Sequence, residues 1–154
     1  MSTVHSFNYK NQRIAYEVVG KGKALVILRG WGSSRRVMLP LAKSLADIRA
    51  SYVLDLPGFG DSNQPDAAWS IDDYADAVEA FIAMLPDDHI DVLVHSFGGR
   101  IILKLLNRLK SKQIIQKVLI TGGAGMKPQR SFRFYVKKYF AKTLKAPFVI
   151  LPNP

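Results

Sequence analysis

A serine at the end of a buried run is the feature of this chain with the most chemistry in it. The run is Val92-Leu93-Val94-His95, and Ser96-Phe97-Gly98-Gly99 follows. A helical pattern begins at Arg100. A strand that turns sharply into a helix holds its junction residue in a tight turn. Glycines let the backbone pass close by, so the hydroxyl stands exposed at the end of a sheet. A serine placed there suits attack on a carbonyl carbon. An unassisted hydroxyl is a poor nucleophile, so a histidine must take its proton and a carboxylate must orient that histidine. After Ser96 the sequence contains no Asp, no Glu and no His. The three histidines precede the serine, at positions 5, 89 and 95. His5 and His89 fall at the starts of expected strands and read as structural or surface residues.

The elements that must position Ser96 alternate in type. His5 to Asn11 and Arg13 to Val19 read as two short strands joined at Asn11-Gln12. In the second, Ile14, Tyr16 and Val18 alternate with Arg13, Ala15 and Glu17, as in a strand with one buried face. Gly20-Lys21-Gly22-Lys23 is turn material and does not fit a phosphate-binding loop. Ala24 to Leu28 is a continuous apolar run suited to a central strand buried on both faces. It ends in Arg29-Gly30-Trp31-Gly32-Ser33-Ser34, whose serines can cap the next helix. Tyr52-Val53-Leu54 is a further buried strand, leading into Asp55-Leu56-Pro57-Gly58-Phe59-Gly60-Asp61-Ser62. Ser70-Ile71-Asp72-Asp73 opens a helix with a capping-box pattern. Ile71, Tyr74, Ala75, Val78, Phe81, Ile82 and Leu85 trace its apolar face. The helix after Ser96 buries Ile101, Ile102, Leu105, Leu106 and Leu109. Arg100, Lys104 and Arg108 share its outer face. Val118 to Ile120 is the last strand. Strands alternating with helices predict a parallel sheet covered on both faces. Ligand chemistry in such sheets lies at the carboxyl ends of the strands.

The composition narrows the function classes. The chain has 154 residues, enough for one domain with a real core. No apolar run approaches the ~20 residues of a membrane span. The N-terminus lacks the basic and apolar regions of a signal peptide, so a cytoplasmic protein is expected. There is no cysteine, hence no disulfide framework and no thiolate metal site. The net charge of +10 is unevenly spread. Up to Asp91 there are 12 acidic and 9 basic residues; from Val92 onward there are 13 basic and none acidic. These basic residues fall at helical spacing among apolar ones, as solvated faces of amphipathic helices do, so nucleic acid is not the expected partner.

Val94-His95-Ser96-Phe97-Gly98 resembles the nucleophile elbow of the α/β-hydrolase fold superfamily, usually G-x-S-x-G, with Val94 in place of the first glycine. Leu28 to Ser34 is similar to the family's oxyanion loop, with Arg29-Gly30 where the family normally has His-Gly. Asp55 to Ser62 is similar to its loop after the following strand. The motifs occur in the family's order, and the resemblance covers roughly Phe7 to Gly125. It implies an α/β fold, a mostly parallel sheet with helices on both faces. Residues 1–126 would be the N-terminal portion of a hydrolase core and residues 127–154 the start of a helical cap. Ser96 would be the nucleophile, and the backbone N–H groups of Trp31 and Phe97 the oxyanion hole. The acid and the catalytic histidine are unassigned, and no cofactor or metal is implied. His95 should turn away from the pocket, Val94 would crowd the turn, and Arg29 would alter the pocket's charge.

The implied function is a serine hydrolase by descent, acting on an ester, amide or carbon–carbon bond of a small molecule. Lacking its acid and base, the chain is expected to be truncated and weakly active or inactive alone. A different class is a non-catalytic binding module or split-enzyme half. It would dock a protein partner through an unprotected edge strand at Val118 to Thr121 and the basic cap helix at Ser131 to Lys145. A third reading places that helix on an anionic membrane surface.

Overall fold

The computed structural model describes residues 3–108 and 114–123, with the single positions 132, 133, 136 and 140. The chain opens as an antiparallel hairpin of β1 (Val4–Tyr9) and β2 (Gln12–Val19). Tyr9 pairs with Gln12, leaving Lys10 and Asn11 as a two-residue turn. Both have positive φ, 46° and 61°, as a type I′ turn requires to match the twist of its strands. The turn expected at Asn11-Gln12 therefore lies one residue earlier, because Gln12 is held in the ladder. The one-sided burial expected of β2 is also incorrect. Ala15 and Glu17 are buried along with Ile14, Glu17 by its pairing with the buried Arg35.

The sheet has six strands in the order β1-β2-β4-β3-β5-β6. β3 (Lys23–Leu28), β4 (Arg49–Leu54), β5 (Ile90–His95) and β6 (Ile115–Thr121) run parallel. β2 meets β4 antiparallel. This is the α/β, mostly parallel architecture expected. A 3₁₀ turn (Arg35–Val37) and α1 (Leu39–Ser44) link β3 to β4. α2 (Ile71–Ala83) links β4 to β5, and α3 (Phe97–Arg108) links β5 to β6. The chain steps from β3 to β4 on one side, then crosses back over β3 to β5 on the other. The order thus reverses between β3 and β5, and the crevice at their carboxyl ends is the topological switch point.

Alternation along the strands builds two cores. Ala24, Val26 and Leu28 of β3 and Ile90, Val92 and Val94 of β5 pack beneath α2 and α3. Leu25, Ile27, Val53 and Leu93 face the other way, against Ala42 of α1. Val94 points into the larger core and is fully buried. The crowding expected at that position is therefore taken up by core packing rather than by the turn. Leu119, paired in register with Leu93, is 58% exposed on β6, the sheet's last strand among the described residues.

α2 begins with a complete capping box. Ser70 Oγ accepts from Asp73 N–H, and the Asp73 carboxylate accepts from Ser70 N–H at 2.8 Å. Both orphan donors at the helix start are thereby satisfied. The outward charges of α3 cross to α2. Lys104 pairs with Asp72, and Arg108 pairs with Asp72 and Asp76. The expected cap segment, 127–154, lies outside the described residues except at 132, 133, 136 and 140, which are helical and exposed. Among the described residues no helix is long and apolar enough to cross a membrane.

Ser70→Ala should destabilise the chain by about 1 kcal/mol, read from urea unfolding, because it leaves the first-turn N–H groups unpaired. Ser70→Asn, which keeps an acceptor, should recover most of the loss.

Candidate active site

Ser96 stands where β5 passes into α3, with φ at +48°. A non-glycine residue in this left-handed region is strained, by about 1–3 kcal/mol, and is held there only by its surroundings. Three contacts fix it. Ser96 N–H donates to the Thr121 carbonyl at 3.0 Å, tying the turn to the end of β6. Gly98 N–H donates to the Arg29 carbonyl at 3.1 Å, tying the start of α3 to the end of β3. Gly99 N–H closes onto the Ser96 carbonyl at 3.0 Å. The approach at Gly98 leaves no room for a side chain: a Cβ would lie 2.8 Å from Leu28 Cβ and 3.0 Å from the Leu28 carbonyl oxygen.

The ends of β3 and β5 are in register, Leu28 beside Val94, so the loop at Gly30-Trp31 lies against Ser96. A cleft of about 360 Å³ opens there, lined by Trp31, Ser96, Phe97 and Arg100. Among the described residues the Ser96 hydroxyl has no hydrogen-bond partner, and neither have the N–H groups of Trp31 and Phe97. A free hydroxyl and two free N–H groups on adjoining loops are what acyl transfer uses: one group to attack a carbonyl carbon and two donors for its oxygen. The cleft wall is aromatic. Trp31, 64% exposed, meets the edges of Phe59 and Phe97, each with ring centroids 4.8 Å away. Tyr74 packs beneath and donates its hydroxyl to the Pro57 carbonyl.

Histidine is absent from this cleft. His95 Nδ1 lies 3.2 Å from Thr121 Oγ1, whose own hydroxyl proton is donated to the Val94 carbonyl. His95 packs against Gly122, and so is directed along the strand ends toward β6. His5 stacks on Tyr16, with centroids 5.4 Å apart. No group of His, Asp and Glu arranged to hold a metal occurs among the described residues.

Arg29 does not line the cleft. It is 1% exposed, lies 4.3 Å over the Phe59 ring, and donates to the Gly30 carbonyl through Nη1. Among the described residues its Nε and Nη2 have no hydrogen-bond partner. Burial pulls its pKa down, while the charges of Asp55 and Tyr74 oppose that pull. Nor do the neighbouring serines cap a helix as expected. Ser33 Oγ turns back to the Gly30 carbonyl at 3.3 Å, and Ser34 makes no side-chain cap bond.

Sequence reading missed the group that holds both loops in place. Arg35, 2% exposed, donates from Nε to Glu17 at 2.7 Å, from Nη1 to Asp55, and from Nη2 to Asp61 at 2.8 Å. Its backbone N–H also donates to Asp55, at 2.6 Å. Asp55 further accepts from Asp61 N–H at 3.0 Å, and its carbonyl accepts from Ser62 Oγ at 2.7 Å. Gly60, with φ at +56°, is packed directly on the Asp55 carboxylate, where a Cβ would collide. Burial works to lower the Arg35 pKa, but its bonds to Asp61, Glu17 and Asp55 outweigh this and raise it. The bond from Arg35 lowers the Asp61 pKa. Local pattern carried no signal for it: Glu17 alternates as an exposed position, and its burial shows only in the fold, beside Arg35.

A family model described as "alpha/beta hydrolase fold" matches residues 23–149. Over 88 residues the chain is 43% identical to a pimeloyl-[acyl-carrier protein] methyl ester esterase of Shewanella woodyi, covering 57% of this chain and 32% of that one. Among solved structures, a bacterial membrane phospholipase A described as a virulence factor aligns with a TM-score of 0.76 and 26% identity, over 91% of this chain and 46% of that one. An alpha/beta hydrolase fold protein from Burkholderia ambifaria aligns with a TM-score of 0.72 and 27% identity, over 96% and 53%. The chain thus spans about a third of the curated esterase and about half of each solved relative.

Arg35→Met should destabilise the fold by about 3–5 kcal/mol in denaturant unfolding, because it strands two buried carboxylates without their cation. The same change should raise the Asp61 pKa. A carboxylate held below its usual value contributes stability above its unfolded pKa of about 3.9 and loses it as pH falls through the folded value. An NMR titration of Asp61 in the native chain should therefore show a lowered midpoint, and Arg35→Met should remove most of the lowering, leaving the part due to Arg36 and Arg13.

Proposed function

Because the chain belongs to the α/β-hydrolase fold family, we propose that Ser96 is the nucleophile of a serine hydrolase acting on a carboxylic ester of a small molecule. The observation that carries this reading is the free hydroxyl of Ser96, held at φ +48° on a strand-to-helix turn and facing a cleft. The N–H groups of Trp31 and Phe97 form the oxyanion hole. They receive the negative charge that develops on the carbonyl oxygen as Ser96 Oγ adds to the carbon. An ester is favoured over an amide or a carbon–carbon bond because the Shewanella woodyi relative is a methyl ester esterase. The aromatic wall of Trp31, Phe59 and Phe97 holds the apolar part of the substrate.

No histidine is among the described residues that line the cleft, and no Asp, Glu or His follows Ser96 in the sequence. Loss of the base lowers turnover in serine triads by on the order of 10⁶, leaving the contributions of binding and the oxyanion hole. Ester hydrolysis by these 154 residues alone should accordingly be close to that residue of activity.

The test supplies the missing base. The folded chain is treated with a fluorophosphonate with and without imidazole, and the intact mass is followed. Ser96 Oγ bonds to phosphorus, fluoride leaves, and imidazole takes the hydroxyl proton. The expected result is one adduct, formed faster as imidazole rises and absent in Ser96→Ala. An adduct of equal rate in Ser96→Ala, or no adduct at saturating imidazole, would sink the assignment of Ser96.

A further inference from the structure

Four described residues line the cleft at Ser96, and one of them, Arg100, carries a full charge. Arg100 sits in the first turn of α3 and is exposed. Among the described residues it makes no ion pair and no hydrogen bond. Its neighbours along the same side of the helix differ: Lys104 and Arg108 are both engaged by Asp72, and Arg108 by Asp76 as well. The residues beyond the described ones hold no acidic side chain to serve Arg100, since Asp91 is the last carboxylate residue in the sequence. Of the carboxylates on the loop after β4, Asp55 and Asp61 are both held by Arg35.

A second cation lies behind the cleft wall. The Arg29 guanidinium is buried against Phe59, whose ring packs on Trp31, and two of its nitrogens have no partner among the described residues. Asp55 offsets part of that charge. The N-terminus of α3, with its partial positive charge, opens on the same cleft. All three contributions have one sign. The solvent-exposed side chain among them is the fork of Arg100, which matches carboxylate and phosphate oxygens two at a time.

We propose that the cleft selects anionic substrates, with Arg100 pairing with a carboxylate or phosphate carried a few bonds from the carbonyl that meets Ser96. Trp31 and Phe97 cover the apolar link between the two ends. The position of the ester rests on the reading of Ser96 given above, whereas anion binding by Arg100 requires no hydrolysis. The two are therefore tested apart.

Trp31 lines the same cleft, so its fluorescence reports occupancy, and Trp31→Phe identifies the signal against that of Trp69. The probes are monomethyl glutarate, its neutral dimethyl ester, and methyl phosphate, each titrated into the full chain. The anions should bind about tenfold more tightly than the neutral diester, the discrimination expected of one charge-assisted pair. Arg100→Gln should erase that preference, Arg100→Lys should keep part of it, and added salt should weaken it. Whichever anion loses more affinity in Arg100→Gln names the group. Equal affinity for half-ester and diester would overturn the proposal. So would a preference that survives Arg100→Gln, or the lack of a saturable Trp31 signal with either anion.

Discussion

The buried guanidinium of Arg35 holds together the parts of this fold that frame Ser96. It joins Glu17 on β2, Asp55 at the end of β4, and Asp61 in the loop beyond. A buried ion cluster of this kind adds little net stability over apolar packing, but it tolerates few other arrangements. Each carboxylate meets a defined nitrogen, and the backbone N–H of Arg35 adds a further bond to Asp55. The loop after β3 is thereby locked to the loop after β4. Trp31 and Phe59, one on each loop, are brought edge to face. The aromatic side of the cleft is a consequence of a charge cluster that lies outside it.

The other side of the cleft depends on close backbone packing. The turn at Ser96 is strained, and hydrogen bonds from Ser96 to β6 and from Gly98 to β3 keep it so. Because the sheet order reverses between β3 and β5, the crossovers on either side diverge and leave a crevice at their ends. Topology opens the crevice, and the strained turn puts a hydroxyl into it.

The charge asymmetry of the chain takes on a spatial meaning in the fold. The acidic first half and the basic second half meet at the α2–α3 interface, where Lys104 and Arg108 face Asp72 and Asp76. At the amino end of the sheet, Asp91 takes charge from both Lys23 and Arg49. Arg100, in the first turn of α3, lines the cleft and makes no such pair among the described residues.

Much of this was legible in the residues. The apolar run at Ala24 to Leu28, the capping box at Ser70 and the strand–serine–glycine–helix pattern at Ser96 are local signals, decided within a few residues by propensity and sterics. They give the α/β class, the element order and the position of the hydroxyl. What local pattern cannot carry is pairing across the chain. Glu17 reads as the exposed member of an alternating strand until Arg35 arrives from 18 residues away. Arg29 reads as a cleft charge until Phe59 covers it. Arg100, Lys104 and Arg108 read as one solvated stripe until α2 engages two of them and leaves the third. A buried charge is tolerated only where a partner desolvates with it, and that partner's location is a property of the folded chain.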